Sequence, residues 1–242
     1  MTVPGTFDTS ARELIHAGLQ NLDEARSLFR QLSASGFDAA RCGLLLDALQ
    51  HVCDPDVALR NLVDIVNAQV SQGRALDDIM PDDTAFRQLV AVLGVSDAMG
   101  KLMRFRPDLV QAAATDHCNS HLYNHDQRRA HVLESVGADP NDRMSPTATM
   151  DLADAATALR RTYRNQLAAI IAQDTMSDDP IALQPRISSE LSDLADAALE
   201  GALAIARHEI AGSEHCRFAI IGMGKLGARE LNYVSDVDLI YV

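Results

Sequence analysis

RFAIIGMGKLGARELNYVSDVDLIYV, residues 217–242, breaks the pattern of the chain before it. Phe218, Ile220 and Ile221 sit in a short apolar run of strand character, and a glycine cluster follows. Val237-Asp238-Leu239-Ile240-Tyr241-Val242 is a second strand-like run. The segment therefore predicts strand, glycine-rich turn, short helix, and a strand bearing two aspartates. Glycines let backbone N–H groups approach an anion closely. A helix N-terminus behind them adds partial positive charge, and Lys225 is a cation in the same turn. Asp236 and Asp238 are two apart, which on a strand places them on one face. Paired carboxylates suit a hard cation such as magnesium, which can assist phosphoryl or nucleotidyl transfer.

Three readings fit this segment. One is a nucleotidyltransferase, with Ser-Asp-x-Asp on the strand after the glycine turn. A second is a dinucleotide site, because Gly222, Gly224 and Gly227 also satisfy G-x-G-x-x-G. That motif wants one acidic residue about 20 positions further on, and here an aspartate pair arrives sooner. The third is a glycine turn followed by a solvated acidic strand. No G-x-x-x-x-G-K-[ST] is present, which removes a Walker P-loop.

Upstream, the periodicity is helical. Ser10 with Glu13 forms a capping box, and Leu14, Leu22, Ala25, Leu28 and Leu32 follow as one element ended by Gly36. Asp38 caps a helix with Leu45, Leu46 and Leu49. Asp54-Pro55 caps another, with Ala58, Leu59, Leu62, Val63 and Val66 on its buried face. Further helices start at Pro81-Asp82-Asp83 and at Pro107. GADPNDRMSPTAT, residues 137–149, reads as a connection and domain boundary. A helix with Arg160, Arg161 and Arg164 on its polar face runs from about Met150 to Ala172. SDDPIALQP (177–185) reads as a loop, and a last long helix runs from about Ser189 to Ala211. Helices are thus expected over most of 9–212, with strands only near 216–221 and 236–242. His117, His121 and His125, with Cys118 beside the first, have helical spacing and read mainly as a solvated face, with a metal site as the alternative.

Composition agrees with packed helices. Of 242 residues, 47% are hydrophobic but only 4% aromatic, and tryptophan is absent. The formal net charge of -13 repels nucleic acid and anionic lipid, so neither is expected as a partner. The four cysteines show no framework spacing, and no run reaches membrane-span length, so a cytoplasmic location is expected.

GMGKLGARELNYVSDVDLIYV resembles the signature GxGKLGxxELxxxSDxDLI of the bifunctional glutamine synthetase adenylyltransferase/adenylyl-removing enzymes. It matches at Gly222, Gly224, Lys225, Leu226, Gly227, Glu230, Leu231, Ser235, Asp236, Asp238, Leu239 and Ile240. LRRTYRNQLAAIIAQD (159–174) and LSDLADAALEGAL (191–203) resemble the family's two preceding helices, and SDAMGKLMRFRPDLV (96–110) a weaker earlier segment. The resemblance implies a mainly α fold with an incomplete α/β, polymerase-β-like nucleotidyltransferase unit at the C-terminal end. It divides the chain into a helical region, 1–145, and the start of the adenylyl-removing domain, 146–242. It implies that this half releases ADP by phosphorolysis of AMP from a tyrosine of glutamine synthetase, while a partner half adenylylates from ATP. Gly222, Gly224, Lys225 and Gly227 would hold phosphate, Ser235 would order the turn, and Asp236 and Asp238 would be catalytic and bind Mg2+. ATP or ADP is the implied nucleotide, with glutamine synthetase and a PII-type signal protein as partners. The family's further strands and third carboxylate do not follow Val242. The chain is therefore expected to be truncated or a fragment, and inactive by itself. The alternatives are a helical interaction module with a remnant motif and a dinucleotide-dependent oxidoreductase.

Overall fold

The caps read from sequence do start helices. In the computed structural model, which describes residues 9–114 and 124–242, Ser10 and Glu13 exchange side-chain to backbone hydrogen bonds ahead of α1 (Ala11–His16). The expected single element up to Gly36 is instead two. The chain turns at Gly18, φ +81°, and Asn21 caps α2 (Leu22–Ala34) by accepting from Glu24 N. Gly18 supplies left-handed backbone that an uninterrupted helix does not use. Asp38 caps α3 (Ala39–Leu49), Asp54 caps α4 (Pro55–Ser71) and Asp82 caps α5 (Asp83–Val95). Then come α6 (Asp97–Met103) and α7 (Pro107–Ala114).

The chain forms two compact units. The first comprises Met1–Asn119 with Ile171–Met176. Within it, α4 packs on α2, α5 and α6, and α5 on α3 and α7. Phe29, Leu45, Leu59, Leu62, Phe86 and Leu89 are fully buried there. Leu59 with Leu62 and Phe86 with Leu89 are i, i+3 pairs, so an amphipathic stripe on α4 and α5 helps close this core.

The second unit comprises Ser120–Ile170 with Ser177–Val242. It contains α8 (His125–Ser135), most of α9 (Leu152–Thr175), and α10 (Pro180–Glu209). Residues 137–149 lie inside this unit, with Ala138 and Ala148 buried among Leu133, Ala204 and Ile205. α8 lies against α10 where a side chain would obstruct it: a Cβ on Gly201 would stand 2.8 Å from Val132. The expected loop at 177–185 is mostly helix. Asp179 caps α10 by accepting from Ala182 N, and Pro180 occupies its first turn. Pro185 removes one bond to the carbonyl of Ile181, a residue 86% exposed, where water can replace the lost donor.

Arg128, on α8, is fully buried. It donates to Gln166 Oε1 at 2.7 Å and to Glu190 Oε2 at 3.3 Å, tying α8 to α9 and α10. Arg186 also donates to Glu190, at 3.1 Å. Burial pushes the Glu190 carboxyl above its ordinary range, and the Arg128 charge pulls it back.

The fold is mainly α, and its only sheet among the described residues has two strands, β1 (Ile220–Gly222) and β2 (Leu239–Tyr241), near the two expected runs. They pair antiparallel, Ile220 opposite Tyr241 and Gly222 opposite Leu239. Between them lies α11 (Gly224–Ala228). A dinucleotide-binding βαβ unit needs parallel strands, so this pairing argues against the dinucleotide reading. Two short strands alone are marginal. Here Leu226 and Leu231 bury themselves against Ile187, Leu191 and Leu194 of α10, anchoring the hairpin.

Candidate functional site

The glycine turn joins β1 to α11, and its geometry depends on missing side chains. A Cβ on Gly227 would meet the Gly222 carbonyl oxygen at 2.5 Å, so the helix sits on the strand only because residue 227 is glycine. Gly224 has φ +53°, left-handed backbone. No side chain hydrogen-bonds to the start of α11 at Met223. Lys225 is exposed in the first turn.

Asp238 meets this turn directly. Met223 N donates to the Asp238 carbonyl at 2.8 Å, extending the ladder one residue past the end of β1 and just ahead of β2. The Asp238 carboxylate oxygen Oδ2 lies 3.1 Å from where a Cβ on Gly224 would stand. Asp236 is exposed two residues earlier. Neither aspartate is within the strand, which begins at Leu239; the expected placement of both on a strand is corrected on this point. The reason is local. Asn232 and Ser235 form a tight turn just upstream: Ser235 N donates to the Asn232 carbonyl, and Ser235 Oγ accepts from Asn232 N at 3.1 Å and donates to Asn232 Oδ1 at 2.8 Å. That turn releases the chain from the ladder.

The structure thus brings together Gly222, Met223, Gly224, Gly227 and Asp238, with Lys225 on the same short helix. The Asp238 carboxylate stands beside backbone left bare by glycine. A carboxylate fits a magnesium ion that also takes phosphate oxygens, and a side chain at Gly224 would crowd Asp238 Oδ2 at 3.1 Å.

Sequence reading missed the polar face of α10. Ser189, Ser192, Asp193 and Asp196 recur at helical spacing. Arg229 reaches this face, and Leu231 N donates to Ser192 Oγ at 3.4 Å. His125, Asp193 and Asp196 offer ligand atoms within 4.8 Å of one another. Asp193 is already matched by the Arg229 guanidinium, so this group needs no ion to account for it. Burial pushes the Asp196 carboxyl upward, while the His125 and Arg229 charges oppose the shift. His117, Cys118 and His121 lie outside the described residues. A cavity of about 650 Å3 is lined by Asp196, Glu200, Arg207, Phe218, Gly222 and Gly227, among others. Asp236 and Asp238 are not among its lining residues. Arg160 and Arg161 are exposed on α9, and Arg164 is half-buried. No described helix is long and apolar enough to cross a membrane.

Comparison with known proteins agrees with the motif. The family model for glutamate-ammonia ligase adenylyltransferase matches residues 86–242. A bifunctional glutamine synthetase adenylyltransferase/adenylyl-removing enzyme of Bifidobacterium longum (strain NCC 2705) is 68% identical over 236 residues, 98% of this chain and 22% of that protein. Enzymes of the same description from Cutibacterium acnes and Mycobacterium avium are 32% and 37% identical, over 95% and 82% of this chain. The chain spans about a fifth of the length of these relatives. By the family model and by these relatives, the chain belongs to the glutamate-ammonia ligase adenylyltransferase family.

Proposed function

We propose that residues 146–242 open a polymerase-β-like nucleotidyltransferase domain that removes AMP from a tyrosine of glutamine synthetase. The observation that carries this reading is the Asp238 carboxylate standing beside Gly224, in a turn left bare by glycine. The names of the relatives support glutamine synthetase as the substrate. The companion half of the activity, AMP transfer from ATP to the same tyrosine, lies outside these residues.

Each group has a role in this reading. The N–H groups at the start of α11 and Lys225 hold the attacking phosphate. Gly222, Gly224 and Gly227 let it approach the backbone. Ser235 fixes the turn that presents Asp236 and Asp238. These carboxylates would hold Mg2+, which when bound would neutralise charge on the transferring adenylyl group. A phosphate oxygen attacks the phosphorus of the tyrosyl-AMP diester. The bond from that phosphorus to the tyrosine oxygen breaks, the tyrosine regains a proton, and ADP leaves. The same reading takes a PII-type protein as a second partner and the cytoplasm as the location.

The test uses the full-length protein carrying this chain, adenylylated glutamine synthetase and inorganic phosphate. ADP release is expected with magnesium, to stop with a chelator, and to return when magnesium is restored. Release that continues unchanged in chelator would sink the metal-assisted reading.

A further inference from the structure

Arg229 is held in left-handed backbone, φ 60° and ψ 37°, at the C-terminal cap of α11. Among the described residues it is the one non-glycine residue with positive φ. That conformation is uncommon for a residue with a side chain, and here the side chain is held by its surroundings.

The surroundings are on α10. Arg229 Nη2 donates to Ser189 Oγ at 2.8 Å and to Asp193 Oδ1 at 2.5 Å. The Asp193 side chain is only 9% exposed, so one end of the ion pair is shielded from water. Two residues past Arg229, Leu231 N reaches Ser192 Oγ, and Ser192 is fully buried. Leu226 and Leu231 flank these bonds with apolar contacts to Leu191 and Leu194. Within the turn, Glu230 N donates to the Lys225 carbonyl at 2.8 Å, and Arg229 N to the Leu226 carbonyl at 3.0 Å.

The short helix is thus held at both ends. At its start Met223 N is bonded to Asp238, and at its end Arg229 is bonded to Asp193. We propose that Arg229 is a positioning residue for this site: through Asp193 and Ser189 it fixes the glycine turn, and through the turn it sets the place of Asp238. The proposal rests on the nucleotidyltransferase reading above. Without the guanidinium, α11 keeps its apolar anchor but gains freedom to rock, and a loosened phosphate cradle slows chemistry more than it weakens substrate binding.

The test is made in the full-length protein with Arg229→Gly, Arg229→Lys and Asp193→Asn. Glycine accepts φ 60° without strain, so Arg229→Gly removes the side chain and leaves the backbone at ease. The expected kcat for phosphate-dependent ADP release falls roughly 10–100-fold, the range for groups that orient a metal site from behind. KM for adenylylated glutamine synthetase stays within about twofold, since the turn does not touch the protein substrate in this account. Arg229→Lys recovers part of the rate, because it restores a charge to Asp193 without the planar fork. Asp193→Asn lowers kcat similarly, and its combination with Arg229→Gly is no worse than either change alone. An unchanged kcat for Arg229→Gly, in a protein that Asp238→Asn inactivates, overturns the positioning role alone. Full activity in Asp238→Asn overturns the nucleotidyltransferase reading, and the proposal with it.

Discussion

Asp238→Asn in the full-length protein is expected to lower phosphate-dependent ADP release on the order of 10³-fold, the scale of losing one electrostatic group at a transition state. AMP transfer from ATP to glutamine synthetase should remain, because that reaction is assigned to a different half. The reason lies in the turn. Asp238 is bound through its carbonyl to Met223, and its carboxylate stands beside Gly224. Asparagine keeps the shape and the backbone bond but loses the charge that holds a cation. Both half-reactions are followed on one preparation, by ADP released and by AMP incorporated. Loss of AMP incorporation with ADP release intact would reverse the assignment of halves.

Glu190→Leu is expected to destabilise the second unit by about 3–5 kcal/mol, the scale of breaking a buried ion pair by removing one member. Arg128 is fully buried, and a guanidinium does not discharge by losing its proton. Its bond to Gln166 remains, but the Glu190 carboxylate that accepts at 3.3 Å is lost. The double change Arg128→Met, Glu190→Leu should recover most of the loss by filling the same space with apolar atoms. Amide exchange in α8 and α10 under increasing urea reads this unit separately from the first. Equal protection in Glu190→Leu and the parent would show that Arg128 is satisfied without Glu190.

Much of the helical part was legible because its signals are local. Ser10–Glu13, Asp38, Asp54–Pro55 and Asp82 each state a helix start within four residues, and each cap forms. The break at Gly18 was hidden because apolar spacing continues from Leu14 to Leu22 across it. The first turns of α10 were hidden by Pro185, since a proline there usually ends a helix. The glycine turn and its aspartates were legible as residue types at a spacing. The antiparallel pairing was not, because strand direction depends on how the intervening residues turn back. Arg229 could not be read at all. Its partners Ser189 and Asp193 lie 40 and 36 residues away, and nothing local marks left-handed backbone at an arginine. The Arg128–Glu190 pair is similarly distant, at 62 residues.

The most direct measurement is the position of a divalent cation. Crystals of the full-length protein grown with manganese and ADP, measured at the manganese absorption edge, locate the ion by its anomalous signal. The expected peak lies between the carboxylates of Asp236 and Asp238, with a phosphate oxygen of ADP against the N–H groups at the start of α11. Manganese seated at His125, Asp193 and Asp196 instead, with Asp236 and Asp238 facing solvent, would contradict it.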